Sequence, residues 1–256
     1  MTTLIISQIL GGIASGMILV LLALGLTLIF GHLRVVNFAH GAFYMLGAYT
    51  GLEVVRRLGN FWLGLLVVPV VLAVLGILFE RTLVSRLYGR SLQDLLLLTF
   101  GVSFILVELV KIAYGKMGLS FDMPQALMGA QRAGDMVFPN YQLFLVFASA
   151  AVVGIVYLFL ERTDVGLIVR AGTQDNLMVQ ALGVNFSRTR TLVFGIGIGL
   201  AGLAGLMTAP RMGVNPDMGM AILIYALVTV VVGGMGSFWG AAEWLSVFTA
   251  LQSVRG

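Results

Sequence analysis

Leu4 to Phe30, LIISQILGGIASGMILVLLALGLTLIF, runs for 27 residues without one charged side chain. A helix needs about 20 mostly apolar residues to cross the hydrocarbon core of a bilayer, so this stretch can span it with length to spare. No basic segment precedes it, and it is too long for the apolar core of a signal peptide. It reads as a membrane span that stays attached. The rest of the chain agrees: with 59% hydrophobic and 10% charged residues among 256, it holds more apolar surface than one water-soluble core could hide. The excess must face lipid, and in lipid the backbone is satisfied most simply as helix, so an all-α, polytopic membrane bundle is expected.

Outward from that first span, further apolar windows follow at Val35 to Val55, Phe61 to Phe79, Leu95 to Ala113, Tyr141 to Leu160, Thr191 to Ala209, Met220 to Val232 and Phe238 to Leu251. The last two are short, and only Gly233-Gly234-Met235-Gly236-Ser237 separates them. Seven or eight transmembrane segments are therefore expected in one domain, 1–256. The second window is unlike the rest because it carries Asn37, His40 and Tyr44 among small residues, which places it against other helices or along a cavity. Many of the 33 glycines fall in apolar segments, Gly195, Gly197, Gly199, Gly202 and Gly205 among them, and predict close backbone packing.

Orientation comes from the basic residues. Arg34, Arg81, Arg86, Arg90, Arg162, Arg170, Arg188 and Arg190 fall on one set of alternate loops, which is the richer set; Arg56, Arg57, Lys116, Arg132 and Arg211 fall on the other. The positive-inside rule then puts the loop 161–190 in the cytoplasm, and the N-terminus and the loop 115–140 outside. With Pro124, Pro139, Asp122 and Asp135, the outer loop reads as irregular, with room for a short surface helix.

Several chemistries are excluded or disfavoured. A net charge of +4 could suit nucleic acid, but the basic residues are scattered singly along loops rather than gathered in a stripe, so no nucleic-acid partner is expected. Zero cysteines remove disulfides and thiolate metal sites, and two histidines make a metal centre improbable. Gly197-Ile198-Gly199-Leu200-Ala201-Gly202 fits the G-x-G-x-x-G string, yet no strand precedes it and its surroundings are apolar, which makes it helix packing. No Walker A sequence occurs, so any ATP dependence comes from a partner. Ser103 with His40 could form a hydroxyl–imidazole pair, but an intramembrane serine more often bonds backbone, and no catalytic residue is assigned. Glu108 reads as the carboxylate lying well inside a long span, either on a transport path or paired with Lys111 three residues on.

Glu161 to Arg190 is a polar island between apolar runs. Ala171 to Leu182 has helical composition, with an apolar patch at Leu177, Met178, Ala181 and Leu182, and Gly183-Val184-Asn185 stops it. A short helix with such a patch and few basic residues suits a partner's groove better than the membrane surface.

Two segments carry a resemblance. Val36-Asn37-Phe38-Ala39-His40-Gly41-Ala42-Phe43-Tyr44-Met45-Leu46-Gly47-Ala48-Tyr49, with Gly31 before it, resembles the N-terminal signature of the LivH/LivM-type permeases, the membrane subunits of ABC importers for branched-chain amino acids. Gly166 to Asn185 resembles that family's cytoplasmic loop, and Ala201-Gly202-Leu203-Ala204-Gly205 and Gly233 to Ser237 continue the match along nearly the whole chain. The resemblance implies a multi-pass subunit of the bacterial cytoplasmic (inner) membrane, with a second permease subunit, two cytosolic ATPases that bind ATP and Mg, and an external binding protein. It implies that Ala171 to Leu182 is a coupling helix, with Gly166, Arg170, Ala171, Asp175, Leu177, Met178, Ala181, Gly183 and Asn185 at the ATPase joint. Asn37, His40, Gly41, Tyr44 and Glu108 would line or support the substrate path. Urea, amides and other amino acids are alternative substrates in the same family. Family members usually continue through a further helix and a cytosolic tail, where this chain has Ala241-Ala242-Glu243-Trp244 and ends at Gly256. A self-sufficient secondary transporter, a passive channel and a structural scaffold are the rival readings, and the first would need several ionisable groups at mid-membrane.

Overall fold

The computed structural model describes residues 2–33, 37–133, 136–174, 176–184 and 186–233. Five of the helices among them are long and apolar enough to cross a bilayer: α1 (Thr2–Leu33), α3 (Phe61–Thr82), α4 (Leu92–Tyr114), α5 (Asn140–Arg162) and α8 (Phe186–Met212). Two more, α2 (His40–Leu58) and α9 (Met218–Val232), are shorter. Between α5 and α8 lie α6 (Asp164–Gln174) and α7 (Asn176–Ala181). The first seven apolar windows thus all become helices, five of them long and apolar enough to cross a bilayer. The eighth window, Phe238 to Leu251, lies outside the described residues together with Glu243.

The short helices are short because both start inside the bundle. The sequence places the second span from Val35, whereas α2 begins at His40. A locally closed turn delays it: Asn37 Oδ1 accepts the Ala39 N–H at 3.0 Å, and the His40 N–H reaches the Asn37 carbonyl at 3.1 Å. Such side-chain-to-backbone bonds compete with helix. His40 Nε2 donates to the Leu22 carbonyl at 3.1 Å, and Leu22 lies near the middle of the Gln8–Gly31 span of α1. The N-terminus of α2 is therefore at mid-depth. That of α9 meets it there, because a Cβ on Gly41 or on Gly219 would overlap the other's carbonyl oxygen. Non-helical backbone at membrane depth is tolerated where protein covers it, and Asn37, Ala39 and His40 are all buried.

The bundle has an inner and an outer layer. Of the apolar windows of α1 and α8, 83% and 89% are buried, against 28%, 22% and 17% for α3, α4 and α5. The outer helices turn Leu66, Val70, Leu97, Ile112, Phe147 and Ile155 outward, where lipid or another chain replaces water. At the centre, the glycine row of α8 lets backbones touch: a Cβ on Gly197 would stand 2.6 Å from the Gly25 carbonyl of α1, and one on Gly199 2.8 Å from the Pro69 carbonyl of α3. Dispersion and close approach hold such helices together, since lipid supplies no hydrophobic drive.

The ends are set by capping residues. Gly59, at φ 64°, ends α2, and Asn60 starts α3 by accepting from the Trp62 N–H at 2.9 Å. Ser91 caps α4 through the Asp94 N–H. Thr163 caps α6, its Oγ1 accepting the Gly166 N–H at 3.1 Å, with Asp164 in the first turn.

The outer loop contains more order than its composition suggests. After the 3-10 turn Gln125–Leu127, strands β1 (Ala130–Ala133) and β2 (Met136–Pro139) pair antiparallel, Ala133 opposite Met136. Leu119 and Val214 exchange backbone hydrogen bonds at 2.8 and 2.9 Å, tying this loop to the segment between α8 and α9. Phe61 meets Phe121, Tyr141 and Phe144 edge-on, with centroids 6.1–6.4 Å apart, and closes that end with aromatic contacts. Tyr141 adds a buried hydrogen bond to the Met207 carbonyl at 2.8 Å.

Candidate functional site

A cavity of about 310 Å³ lies where α2, α4 and α9 meet. That is at the lower end of the roughly 300–1,000 Å³ typical of small-molecule sites. Phe38, Gly41 and Ala42 of the α2 start form one side, Ser103, Phe104, Val107 and Glu108 of α4 another, and Gly219, Met220 and Leu223 of α9 the third. The walls are mostly apolar. Charge is gathered at one edge, where Lys111 Nζ lies 3.2 Å from Glu108 Oε1 and 3.2 Å from Asp217 Oδ1. Lys111 thereby links α4 to the start of α9 across the opening. Two helix N-termini border the same space, and the positive ends of their dipoles favour negative charge.

The path residues named from sequence separate into two groups. Gly41 and Glu108 line the cavity. Asn37, His40 and Tyr44 are buried beside it, where they hold the start of α2 by the bonds already described and by packing on α8: a Cβ on Gly205 would overlap the Tyr44 carbonyl. Glu108 pairs with Lys111 at i, i+3, one of the two readings its sequence position offered, and its side chain is 61% exposed at the cavity edge. Lys111 and Asp217 belong beside it; Lys111 was visible as a partner, while Asp217 carried no signal until the fold brought α9 across.

Among the described residues the buried carboxylate is Glu80, at the end of α3 and 1% exposed. Its oxygens accept from Tyr88 Oη and Thr191 Oγ1, both at 2.7 Å. Tyr88, just beyond the 3-10 turn Val84–Leu87, has its phenol pushed above the ordinary range by burial and then by this hydrogen bond, so it serves as a donor. Sequence reading passed over Glu80 because it stands next to Arg81 at a helix end, which usually means a solvated pair.

At the end of the bundle that holds the start of α8, the loop 161–190 forms α6 and α7. Helix begins at Asp164, seven residues ahead of the Ala171 expected from composition, and the Thr163 cap explains why. A Cβ on Gly166 would overlap the Leu160 carbonyl, so the α5–α6 corner admits only glycine. Arg170 fastens the same corner, with Nη1 2.8 Å from the Leu160 carbonyl and 2.7 Å from Glu161. Ala171 follows on α6. Val169 and Val179 face the bundle, while Leu167, Met178, Ala181 and Leu182 face outward. Gly183, at φ 82°, ends the element. Asp175, Asn185 and the Leu177 side chain lie outside the described residues.

A bundle of apolar helices long enough to cross a bilayer, with a cavity at the meeting point of two internal helix starts and outward apolar side chains on short helices at one end, is the architecture of a multi-pass membrane protein. Residues 8–253 match the family model described as branched-chain amino acid transport system / permease component, and the chain belongs to that family. It is 28% identical to the high-affinity branched-chain amino acid transport system permease protein BraD of Pseudomonas aeruginosa, over 92% of this chain and 81% of that one. It is 30% identical to the probable branched-chain amino acid transport permease protein LivH of Methanocaldococcus jannaschii, over 90% and 75%. Against the permease protein LivM of Escherichia coli the identity is 29%, over 86% of this chain and 57% of the relative. No solved structure matches the chain significantly.

Proposed function

We propose that this chain is the membrane subunit of an ATP-driven importer, and that it passes branched-chain or chemically similar amino acids inward through the cavity between α2, α4 and α9. The observation that carries the reading is the cavity itself, apolar on its walls and charged at one edge. A small apolar side chain would meet Phe38, Phe104, Val107 and Leu223. The carboxylate and ammonium ends of a zwitterion would exchange for the pairs among Lys111, Glu108 and Asp217. Family membership over residues 8–253 supports the substrate class.

The chain holds no Walker A sequence, so the energy enters from outside it. Two cytosolic ATPases, which bind ATP and Mg, would seat the outward apolar side chains of α6 and α7 in their grooves. A second permease subunit, similar or identical, would cover part of the exposed apolar surface of the outer helices, and an external binding protein would deliver substrate. ATP binding would draw the ATPases together, shift α6 and α7, and change the side from which the cavity opens. The setting proposed for this assembly is the bacterial cytoplasmic membrane.

The test is uptake by the complex reconstituted in liposomes, with labelled valine outside and ATP on the side of the ATPases. Uptake that requires ATP and saturates with valine supports the reading. Valine uptake driven by an ion gradient without ATP would replace it with a secondary transporter. ATP-dependent uptake of urea but not valine would keep the transporter and change the substrate.

A further inference from the structure

The Glu80 cluster stands where the end of α3, the start of α8 after the loop 161–190 and the approach to α4 meet. α6 leans on the first residue of α8, because a Cβ on Gly172 would overlap the Phe186 ring. One turn on, Arg190 and Thr191 face Glu80. Thr191 Oγ1 donates to Oε2 at 2.7 Å, while Arg190 Nε stands 3.6 Å from Oε1, beyond hydrogen-bond reach but within ion-pair range. The Arg190 guanidinium also lies over the Tyr88 ring, 3.6 Å from its centroid, in a cation–π contact. Tyr88 in turn donates to Oε1 at 2.7 Å, fixing the segment that follows the turn Val84–Leu87. α4 packs chiefly on that turn and on α2, and it forms the cavity wall that carries Glu108 and Lys111.

A carboxylate buried this deeply is stable only with its donors in place, so the four side chains must move together or break together. We propose that Glu80 is a positioning residue for transport: it joins the second turn of α8 to the segment leading into α4, so that a shift of α6 and α7 is delivered to the cavity wall instead of dissipating at the end of the bundle. A merely structural clamp could sit anywhere along α3. This one lies between the loop that would receive force and the helix that would open the path, with ligands from the start of α8 and from the segment just before α4. The proposal rests on the reading of the chain as an ATP-coupled permease.

The experiment compares ATP hydrolysis, valine uptake and thermal stability in the reconstituted complex for the wild type, Glu80→Gln, Tyr88→Phe and Tyr141→Phe. Tyr88→Phe keeps the carboxylate with Thr191 and Arg190 and removes one hydroxyl. Tyr141→Phe removes one buried hydrogen bond at the opposite end and serves as the stability control. For Glu80→Gln and Tyr88→Phe, the valine moved per ATP hydrolysed should fall about tenfold, the scale of one hydrogen bond to a charged group, with the ATPases still bound and active. Tyr141→Phe should leave that ratio at the wild-type value. An unchanged ratio in Tyr88→Phe would overturn the proposal, whether or not Glu80→Gln folds, and so would an equal fall in Tyr141→Phe. A wild-type complex without ATP-dependent uptake would instead refute the underlying reading of function.

Discussion

Leu182, the residue after α7, offers the most direct probe of the open face. Its side chain is 75% exposed and Leu167 on α6 is 59% exposed, although both are apolar and Gly183 immediately afterwards fixes the end of the element. Burying a leucine side chain fully contributes about 1.5–3 kcal/mol. Roughly three quarters of that surface remains available at Leu182, so seating it in a groove would contribute about 1–2 kcal/mol, and Leu182→Ala would lose most of it. Since about 1.4 kcal/mol is tenfold in affinity, the dissociation constant of the purified ATPase for the permease in nanodiscs should rise about 5- to 30-fold. Leu167→Ala should lose slightly less. Permease stability should stay within about 0.5 kcal/mol of wild type, because neither residue packs in the core. Leu66→Ala, on the outward face of α3, is the control and should not change ATPase affinity. If Leu182→Ala and Leu167→Ala bind within about twofold of wild type, or if Leu66→Ala weakens binding equally, the face formed by α6 and α7 is not the joint.

The chain has no cysteine, so single-cysteine labelling is direct. Ser103→Cys, on the cavity wall, should react with a water-soluble thiol reagent, whereas Leu66→Cys, facing lipid, should not; equal reactivity would deny the cavity its access to water. Gly197→Leu forces side-chain volume where a single Cβ would already stand 2.6 Å from the Gly25 carbonyl, so it should lower the thermal midpoint sharply or abolish folding, and a wild-type midpoint would show that α1 and α8 are not in contact. Tyr141→Phe leaves the Met207 carbonyl without this donor and should cost about 1 kcal/mol in a denaturation series, with loss of activity only in step with loss of folded protein.

How much of this was legible depended on the range of the interaction. Local rules worked: apolar windows found the helices, and Gly183 stopped the loop helix through cap geometry that its sequence neighbours already imply. The early start of α6 was also written locally, in Thr163 followed by Asp164, and was missed because those residues read as the tail of α5. The same holds for the hairpin, where Gly134-Asp135 between Ala133 and Met136 is a two-residue turn signal that the prolines of the loop obscured. Depth was not legible at all. That α2 and α9 begin at the middle of the bundle depends on Leu22 meeting His40 and on Gly41 meeting Gly219, contacts far apart in sequence. Burial of charge was hidden for the same reason: the Glu108–Lys111 pair is local and readable, while Glu80 counts as terminal and becomes buried only when α8 supplies Thr191 and Arg190.

The measurement that bears most directly on the assignment is recovery of the detergent-solubilised chain from its native membrane, alone and as Leu167→Asp/Leu182→Asp, with identification of everything that accompanies it. A carboxylate forced into an apolar groove costs several kcal/mol unless it is paired, so docking should be lost while the bundle still folds. ATPases and a second permease subunit should accompany the wild type, and the variant should keep the second permease but lose the ATPases. A wild-type chain recovered without any ATPase would contradict the assignment.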